Sequence, residues 1–305
     1  MNEKPQVAII GLSGQSIFLH VDHFHKQGET LVSDDLFMEP GGKGFNQSVA
    51  LKRLGAGVSF LSAVGKDDYG KICQKTLLDL GIETSFKFKD NQQTALASIL
   101  TNSQGETKVT VYPGAKLTKD DVEQFSSSID KAGALLLQLE VPDEVLIEAI
   151  KIASRKQKMI ILNPAPFRKI PSPVMQSVSV LTPNEIEARS MVGLSEQDDW
   201  EEVVKRLKSL NKTIVVTLGY KGAFYINKEE EGFIPAPVVK CQDSTGAGDA
   251  FNAALTYQLL NKKPLKDAIV WANIVAAMSV TKHHVLRSYP TKEEVSNFMK
   301  AVKYE

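Results

Sequence analysis

Hydrophobic positions along the chain follow two alternating patterns. Short apolar runs rich in β-branched residues are separated by longer stretches whose apolar residues lie three and four apart, the period of an amphipathic helix. This alternation predicts an α/β fold with a parallel sheet and helices on both faces. The predicted strands are Val7–Gly11, Val58–Val64, Ala134–Leu139, Met159–Leu162, Val178–Leu181 and Ile214–Leu218. The predicted helices are Phe45–Leu54, Lys71–Leu80, Glu144–Arg155, Glu185–Val192 and Trp200–Leu210.

Three other segments alternate polar and apolar residues, which is typical of half-exposed strands. They are Ser16–Asp22, Leu96–Leu100 and Lys108–Val111, and a turn at Asn102–Gly105 joins the last two. We expect these segments to form a small β sheet beside the main domain.

Composition agrees with a soluble enzyme. The chain has 305 residues, 43% of them hydrophobic, which is enough for one large domain with a smaller appendage. Lys and Arg total 36 and balance 36 Asp and Glu, so charge gives no reason to expect nucleic acid as a partner. Cys73 and Cys241 have no metal-site spacing, and so few cysteines favour a cytoplasmic location. The first apolar run, Val7–Leu12, is too short to span a membrane.

The most informative segment runs from Asp243 to Phe251, reading Asp-Ser-Thr-Gly-Ala-Gly-Asp-Ala-Phe. Gly246, Ala247 and Gly248 precede an apolar helical pattern, so their N–H groups and the helix dipole would attract a phosphate. Asp249 lies at the mouth of that site, where an attacking hydroxyl needs a base. The alternative is an ordinary glycine turn. Neither a Walker loop nor a dinucleotide fingerprint fits these residues.

A second glycine-rich segment covers Gly41–Gly55. Its glycines, Gly42 among them, allow the backbone to approach a ligand closely. Lys43 and Asn46 are three residues apart and would share one face of a helix's first turn. A ligand rich in hydroxyls suits these two side chains, although a solvated lysine beside a plain turn is the alternative.

Four further polar or glycine positions follow apolar runs: Glu140, Asn163, Asn184 and Gly219. They are therefore expected at the carboxyl ends of parallel strands, the edge at which open α/β sheets bind ligands.

Together these segments resemble the ribokinase-like (PfkB) family of carbohydrate kinases, and within it the ribokinase branch. Besides the two glycine-rich segments, the resemblance covers Leu137–Glu140, Leu162–Pro166, Thr182–Glu187 and Thr217–Gly222, in the family's order. It implies a three-layer parallel-sheet domain with a small β-sheet lid that pairs between subunits in a homodimer. The large nucleotide- and substrate-binding domain would comprise residues 1–11, 41–92 and 113–305, and the lid residues 12–40 and 93–112.

The resemblance also implies roles for single residues. Asp249 would be the catalytic base, with Gly246, Ala247 and Gly248 facing the transferring phosphoryl group. The sugar would contact Gly42, Lys43, Asn46, Glu140 and Asp249. ATP would lie along Asn184, Thr217, Gly219, Gly222 and Asn273. Asn184 and Glu187 would hold hydrated Mg²⁺, whose preference for oxygen ligands they match. Without the resemblance, Asn184 reads as a helix cap, Asn273 as a packing residue and Glu140 as a solvated carboxylate.

One departure from the family concerns the acceptor. Ribokinases carry an Asn and an Asp where this chain has Gly14 and Ser16. Losing a charged acceptor weakens the binding of a hydroxyl by ~1.5–3 kcal/mol. A ribose-like pentose is favoured, but the alternatives are another furanose or ketose, or a nucleoside whose base packs on Ile17, Phe18 or Phe45. A non-catalytic sugar-binding regulator on the same scaffold is a further alternative.

A second departure concerns K⁺. Family members that need this ion hold it near the second glycine-rich segment and a later loop, which here correspond to Asp243, Thr245 and Ser288. In that loop His284, Val285 and Arg287 are bulkier than the family pattern. We expect Arg287 to supply a fixed cation that removes the K⁺ requirement.

Overall fold

The six strands predicted from the alternating pattern lie next to one another in one large sheet. In a computed structural model that describes residues 4–104 and 106–302, its strand order is β13-β12-β11-β10-β9-β8-β1-β4-β5. Neighbours from β5 to β11 pair in parallel, whereas β12 and β13 add an antiparallel hairpin at one edge. Its strands are β1 (Gln6–Ile10), β4 (Gly57–Gly65), β5 (Glu83–Lys89), β8 (Ala134–Gln138), β9 (Met159–Asn163), β10 (Val180–Leu181), β11 (Thr213–Thr217), β12 (Gly222–Ile226) and β13 (Glu231–Pro235).

Helices cover both faces of this sheet, giving three layers. They are α1 (Lys43–Arg53), α2 (Asp68–Asp79), α3 (Lys119–Gln124), α4 (Ser126–Lys131), α5 (Asp143–Arg155), α6 (Ser172–Ser177), α7 (Glu185–Met191), α8 (Trp200–Ser209), α9 (Ala247–Leu260), α10 (Leu265–Ser279), α11 (Val285–Ser288) and α12 (Lys292–Val302). Successive residues of β1 point to opposite faces, so Ile9 packs in the core beneath α1, α9 and α10. Ala8 and Ile10 pack in the second core, beneath α3 to α8.

A second, four-stranded sheet lies beside the first, with the order β3-β2-β6-β7. It is built from β2 (Gly14–Val21), β3 (Asp35–Gly41), β6 (Ala95–Asn102) and β7 (Thr107–Tyr112), and we call it the small sheet. The three alternating segments predicted from the sequence are all strands here, whereas β3 was not predicted. The predicted turn ends at Gly105, which lies outside the described residues.

Glycine contacts fix the start of α1 against the end of β1. A Cβ on Gly44 would lie 2.8 Å from the Cα of Gly11, and a Cβ on Gly11 would lie 2.7 Å from the Cα of Gly44. Real Cβ atoms do not come so close to backbone, so only glycine at both positions permits this approach. The close packing brings the first turn of α1 to the carboxyl edge of the large sheet.

The order of the strands makes this edge a suitable place for a ligand. From β1 the sheet grows outward through β4 to one side and through β8 to the other, so the topology switches direction between β1 and β8. In open α/β sheets a crevice forms outside the carboxyl ends of the strands at such a point. Within the described residues no helix is both long and apolar enough to span a bilayer.

Candidate active site

Asp249 lies in the first turn of α9, and two amide side chains from α1 hold its carboxylate. Asn46 donates through Nδ2 to Oδ2 at 2.9 Å, and Gln47 donates through Nε2 to Oδ1 at 2.9 Å. Asp249 is only 7% exposed. Gly246 is the N-cap of α9 and adopts φ 78°, a left-handed conformation that glycine adopts without strain. The carboxylate is thus fixed at an electropositive helix end.

A buried chain of amides supports this arrangement from below. Gln138, the last residue of β8, donates to Oε1 of Gln47 at 2.6 Å. Asn163, the last residue of β9, lies 3.4 Å from the Gln47 amide and donates to the Thr182 carbonyl at 3.0 Å. Asn252 contacts the Thr182 hydroxyl and donates to the Gly248 carbonyl at 2.8 Å. Strand ends and both helices are therefore cross-linked beneath Asp249.

The glycine-rich turn before α1 brings Lys43 to Glu140. The backbone N–H of Lys43 donates to Oε2 of Glu140 at 2.8 Å. Gly42 has φ 110°, and a Cβ there would lie 2.4 Å from the carbonyl oxygen of Leu12. The positive φ and this close contact both require glycine at position 42. The turn places the Lys43 N–H, at the start of α1, beside the carboxylate of Glu140.

Asp249 borders two cavities, and the larger lies between the large and small sheets. This cleft has a volume of about 430 Å³, and Asp249 shares it with Gly42, Lys43, Asn46 and Glu140. The small sheet adds to this cleft the apolar side chains of Phe18, Leu96, Ile99, Val109 and Val111 and the polar side chains of Gln15, Ser16 and Glu39. A compact ligand with several hydroxyls suits a cleft that has both polar and apolar walls.

The smaller cavity adjoins the first, because Lys43, Gly246 and Asp249 line both. It has a volume of about 110 Å³, and its other walls come from the ends of β9, β10 and β11 and from α9. Among the predicted residues it contains Asn184, Glu187, Thr217 and Gly248. Asp249 thus stands at the junction of a cleft suited to a polyol and a polar cavity at a helix N-terminus.

Charges in the site influence one another strongly. Burial raises the pKa of Asp249, against the opposing effects of Lys43 and of the two amide donors. Burial also raises the pKa of Glu140 to about 7, although Lys43 opposes the shift. For Lys43 burial acts to lower the pKa, but Asp249, Glu140 and Glu187 outweigh it and the pKa is raised. Lys43 therefore stays charged among carboxylates that would otherwise repel one another.

Asn184 and Glu187 form a capping box at the start of α7. Oδ1 of Asn184 accepts the Glu187 N–H at 2.8 Å, and Oε2 of Glu187 accepts the Asn184 N–H at 2.8 Å. Burial raises the pKa of Glu187, which lines the smaller cavity. Across the described residues there is no cluster of three His, Cys, Asp or Glu side chains suited to a metal. Glu187 and Asp249 both border this small polar cavity, which suits Mg²⁺ because the ion keeps several waters and binds phosphate oxygens.

The remaining predicted nucleotide residues lie along one side of this edge. Thr217 ends β11 and lines the smaller cavity, whereas Gly219 and Gly222 flank a 3₁₀ turn between β11 and β12. Asn273 is buried in α10, where its amide donates to the carbonyls of Ile234 at 3.0 Å and Pro235 at 3.3 Å. Asn273 thus holds the end of β13 through its amide.

The residues predicted for K⁺ already make intramolecular contacts. Asp243 accepts the Thr245 N–H through Oδ1 at 2.9 Å, and buried Ser288 donates to the Val285 carbonyl at 2.8 Å. Thr245 lines the larger cleft, whereas Arg287 is exposed. Its charge still reaches Glu39, whose pKa is raised by burial against the opposing effect of Arg287.

Two of the side chains suggested for an apolar base pocket lie elsewhere. Phe45 is fully buried and packs edge-on against Phe60 in the core beneath α1. Ile17 does not line the cleft in the described structure, whereas its neighbour Phe18 does. Alternation along β2 explains this difference, since adjacent residues point to opposite faces.

Gln47 and Gln138 were missed by the sequence reasoning. Gln47 has the spacing of Leu51 and Leu54 along the buried side of α1, and Gln138 ends an otherwise apolar strand. A polar side chain at a buried position needs a hydrogen-bond partner, so this signal was available in the pattern.

Comparison with known proteins agrees with this geometry. The model of the pfkB family carbohydrate kinases matches residues 4–292. A ribokinase of Haemophilus influenzae is 32% identical over 97% of this chain and 99% of its own length. The crystal structure of a Thermotoga maritima ribokinase aligns with a TM-score of 0.86 at 32% identity, covering 96% of this chain and 99% of that one.

An Arabidopsis thaliana ribokinase, whose structure is complexed with ribose and ATP, aligns with a TM-score of 0.86 at 25% identity. The alignment covers 98% of this chain and 99% of the plant protein. Since the family model spans nearly the whole sequence and the fold agrees over the same length, the chain belongs to the pfkB family of carbohydrate kinases.

Proposed function

We propose that this protein is an ATP-dependent sugar kinase that transfers the γ-phosphate to a hydroxyl of a ribose-like pentose. The observation that carries the proposal is the position of Asp249, whose buried carboxylate borders both cavities. An acceptor in the larger cleft and a phosphate chain in the smaller cavity would meet there. Membership in the family, the ribokinases among the relatives and the ribose and ATP bound to the Arabidopsis protein support this assignment.

Asp249 would act as the general base. The acceptor oxygen attacks the γ-phosphorus, the bond from that phosphorus to the β,γ-bridging oxygen breaks, and the acceptor proton passes to the carboxylate. Burial raises the pKa of Asp249, which makes it a better proton acceptor, while Lys43 and the amides of Asn46 and Gln47 oppose this shift and favour the ionised form. Positioning supplies most of the acceleration, because phosphoryl transfer leaves little covalent chemistry to the protein.

The turn at Gly246, Ala247 and Gly248 would stabilise the charge on the transferring group. The Ala247 N–H already donates to the Ser244 carbonyl at 3.2 Å. The N–H groups of Gly248 and Asp249 belong to the first turn of α9, where no intrahelical acceptor exists, and they are the better candidates. A Cβ on Gly248 would meet nothing within 4 Å, which is consistent with a ligand reaching the backbone here.

Asn184 and Glu187 would hold hydrated Mg²⁺, and bound Mg²⁺ neutralises phosphate charge. Thr217, Gly219, Gly222 and Asn273 would border the nucleotide. Lys43 and Glu140, with Gly42 and Asn46, would bind acceptor hydroxyls. Asn46 is suited to this, because its Oδ1 is buried and has no partner among the described residues.

The small sheet would serve as a lid that excludes water during transfer. In this division residues 12–40 and 93–112 form the lid, and 1–11, 41–92 and 113–305 form the large domain. We further propose a homodimer through the lid, since β7 is exposed along its whole length and lies at a sheet edge. A cytoplasmic enzyme without a K⁺ requirement completes the proposal.

A nucleoside is the second candidate acceptor, because the small sheet presents an apolar wall to the cleft. A screen for ADP release over pentoses, hexoses, ketoses and nucleosides tests both candidates. Highest kcat/KM on ribose or deoxyribose supports the pentose, and highest kcat/KM on nucleosides replaces it. Tight sugar binding without ADP release would instead identify a regulator on a kinase scaffold.

A further inference from the structure

Glu39 joins the small sheet to the C-terminal segment beside the tip of α9. It lies on β3 and is 6% exposed. Its Oε1 accepts the Val285 N–H at 2.7 Å, and its Oε2 accepts the Leu286 N–H at 3.3 Å. These N–H groups start α11, where a helix has no acceptors of its own. A carboxylate from one sheet therefore caps a helical turn of the other structural unit.

A second contact lies beside the first. Phe37, two residues earlier on β3, stacks on His284 with 3.6 Å between ring centroids. His284 has φ 70°, a conformation that is uncommon for residues with a side chain and that needs support from its surroundings. Two residues of β3 thus hold the start of α11. Glu39 binds its backbone N–H groups, and Phe37 stacks on the side chain of His284.

The same segment presses on Gly246, the N-cap of α9. A Cβ on Gly246 would lie 2.6 Å from Cγ1 of Val285 and 2.7 Å from the hydroxyl of Tyr289. That hydroxyl donates to the Gly246 carbonyl at 3.3 Å. Tyr289 is fully buried, and Arg53 donates to its carbonyl at 2.7 Å. The turn that precedes Asp249 therefore rests on Val285, whose N–H Glu39 accepts, and on Tyr289 farther along the same segment.

We infer that Glu39 is a positioning residue, which fixes the Gly246 turn through Val285 and so ties the small sheet to the phosphoryl-transfer geometry. The inference rests on the proposed kinase function. The larger cleft is lined by Glu39, Val285, Gly246 and Asp249. An acceptor that draws the small sheet inward therefore acts on the contacts that run from Glu39 through Val285 to the Gly246 turn. The carboxylate matters because it gives each N–H group its own acceptor oxygen, which an amide cannot do.

Glu39→Gln tests the inference kinetically, since the amide nitrogen cannot accept the second N–H. We expect kcat to fall about tenfold, with the KM for sugar within about threefold of wild type, as a displaced reacting group predicts. Asp35→Asn, an exposed change of the same kind on β3, is the control. Val285→Ala should reproduce the loss, and the double variant should lose less than the sum. A kcat within twofold of the control overturns the inference.

Amide hydrogen exchange gives a readout that does not depend on turnover. Exchange in residues 246–250 should be faster in Glu39→Gln than in Asp35→Asn, at a temperature where both remain folded. Unchanged exchange overturns the inference even if kcat falls. If the wild-type protein releases no ADP with any acceptor, the kinase proposal fails, yet exchange still decides whether Glu39 holds this turn. If Glu39→Gln does not fold, Val285→Ala decides by the same two measurements.

Discussion

The amide of Asn46 donates to the carboxylate of Asp249 at 2.9 Å, although 203 positions separate the two residues. Its other polar atom, Oδ1, is buried and has no partner in the described parts of the chain. An acceptor hydroxyl that donates to this oxygen would lie next to the carboxylate that has to take its proton. One side chain thus joins recognition of the acceptor to the placement of the base.

Replacing Asp249 with Asn should lower kcat by ~10²–10⁴, the usual contribution of a general base. The KM for sugar should change much less, since the amide still makes hydrogen bonds. Initial rates of ADP release under saturating ATP measure the effect.

Asp267→Asn is the matched control, because Asp267 is an exposed carboxylate in the first turn of α10. It interacts with a helix dipole as Asp249 does, but it borders neither cavity. A loss of only a few fold in Asp249→Asn, or an equal loss in the control, would remove Asp249 from the chemistry.

Gln47→Leu should shift the acidic limb of the kcat/KM profile to higher pH. The Gln47 amide stabilises ionised Asp249, whose pKa burial already raises, so losing this donor raises the pKa further. We expect kcat to fall about tenfold, in line with a lost hydrogen bond to a charged group of ~1.5–3 kcal/mol. Exposed Gln197→Leu serves for comparison. An unshifted acidic limb would mean that a different group sets it.

Gly42→Ala should damage sugar binding more than folding. Its φ of 110° is strained for alanine, and the added Cβ would collide with the Leu12 carbonyl. The turn must shift, which moves Lys43 and raises the KM for sugar by about tenfold or more. Gly55→Ala isolates the strain, because φ there is 93° but nothing lies within 4 Å of the new Cβ. If both variants lose only stability, measured by urea unfolding, Gly42 does not shape the acceptor site.

Glu140 should make the protein less stable as pH rises from about 4.5 to about 7. Burial raises its pKa to about 7 in the folded state, so in this range the folded protein binds more protons than the unfolded chain. Glu140→Gln lacks this titration. We therefore compare the free energy of unfolding of Glu140→Gln with that of wild type. The difference, variant minus wild type, should increase by on the order of 1–3 kcal/mol between pH 5 and pH 8.

Urea unfolding at the two pH values measures this difference. Exposed Glu123→Gln on α3 is the control. A difference between Glu140→Gln and wild type that stays constant with pH would show that Glu140 keeps an ordinary pKa, and would contradict the electrostatic description of the cleft.

Local patterns were sufficient to predict much of the fold. The buried parallel strands are apolar and β-branched over their whole length, so each is recognisable without its neighbours. Four strands were not predicted. Strand β3 contains Pro40, β5 lies at the sheet edge and has three lysine or glutamate residues, and β12 and β13 form an antiparallel hairpin outside the strand-helix alternation. Of the predicted strand Val178–Leu181, only Val180 and Leu181 pair as β10, since pairing partners decide where a strand begins.

The site was less predictable, because its supporting contacts join distant parts of the chain. Asp249, Lys43 and Asn46 stood out through their glycine-rich surroundings. The amide chain from Gln138 through Gln47 depends on how α1 docks against β8, and no local spacing encodes that docking. The capping role of Asn184 follows from local sequence alone, and in the structure it coexists with a place in the smaller cavity.

Turnover should be independent of K⁺ because Arg287 supplies a permanent positive charge near the segment that would otherwise bind the ion. Its charge acts on Glu39, which caps that segment, although the guanidinium itself is exposed. Because the fixed charge would already stand in for the ion, rates in buffers free of Na⁺ and K⁺ should change by less than about twofold when K⁺ is added. Arg287→Ala should gain a K⁺ response, while exposed Lys282→Ala should not. Strong activation of the wild-type enzyme by K⁺ would show that a fixed cation does not replace the ion.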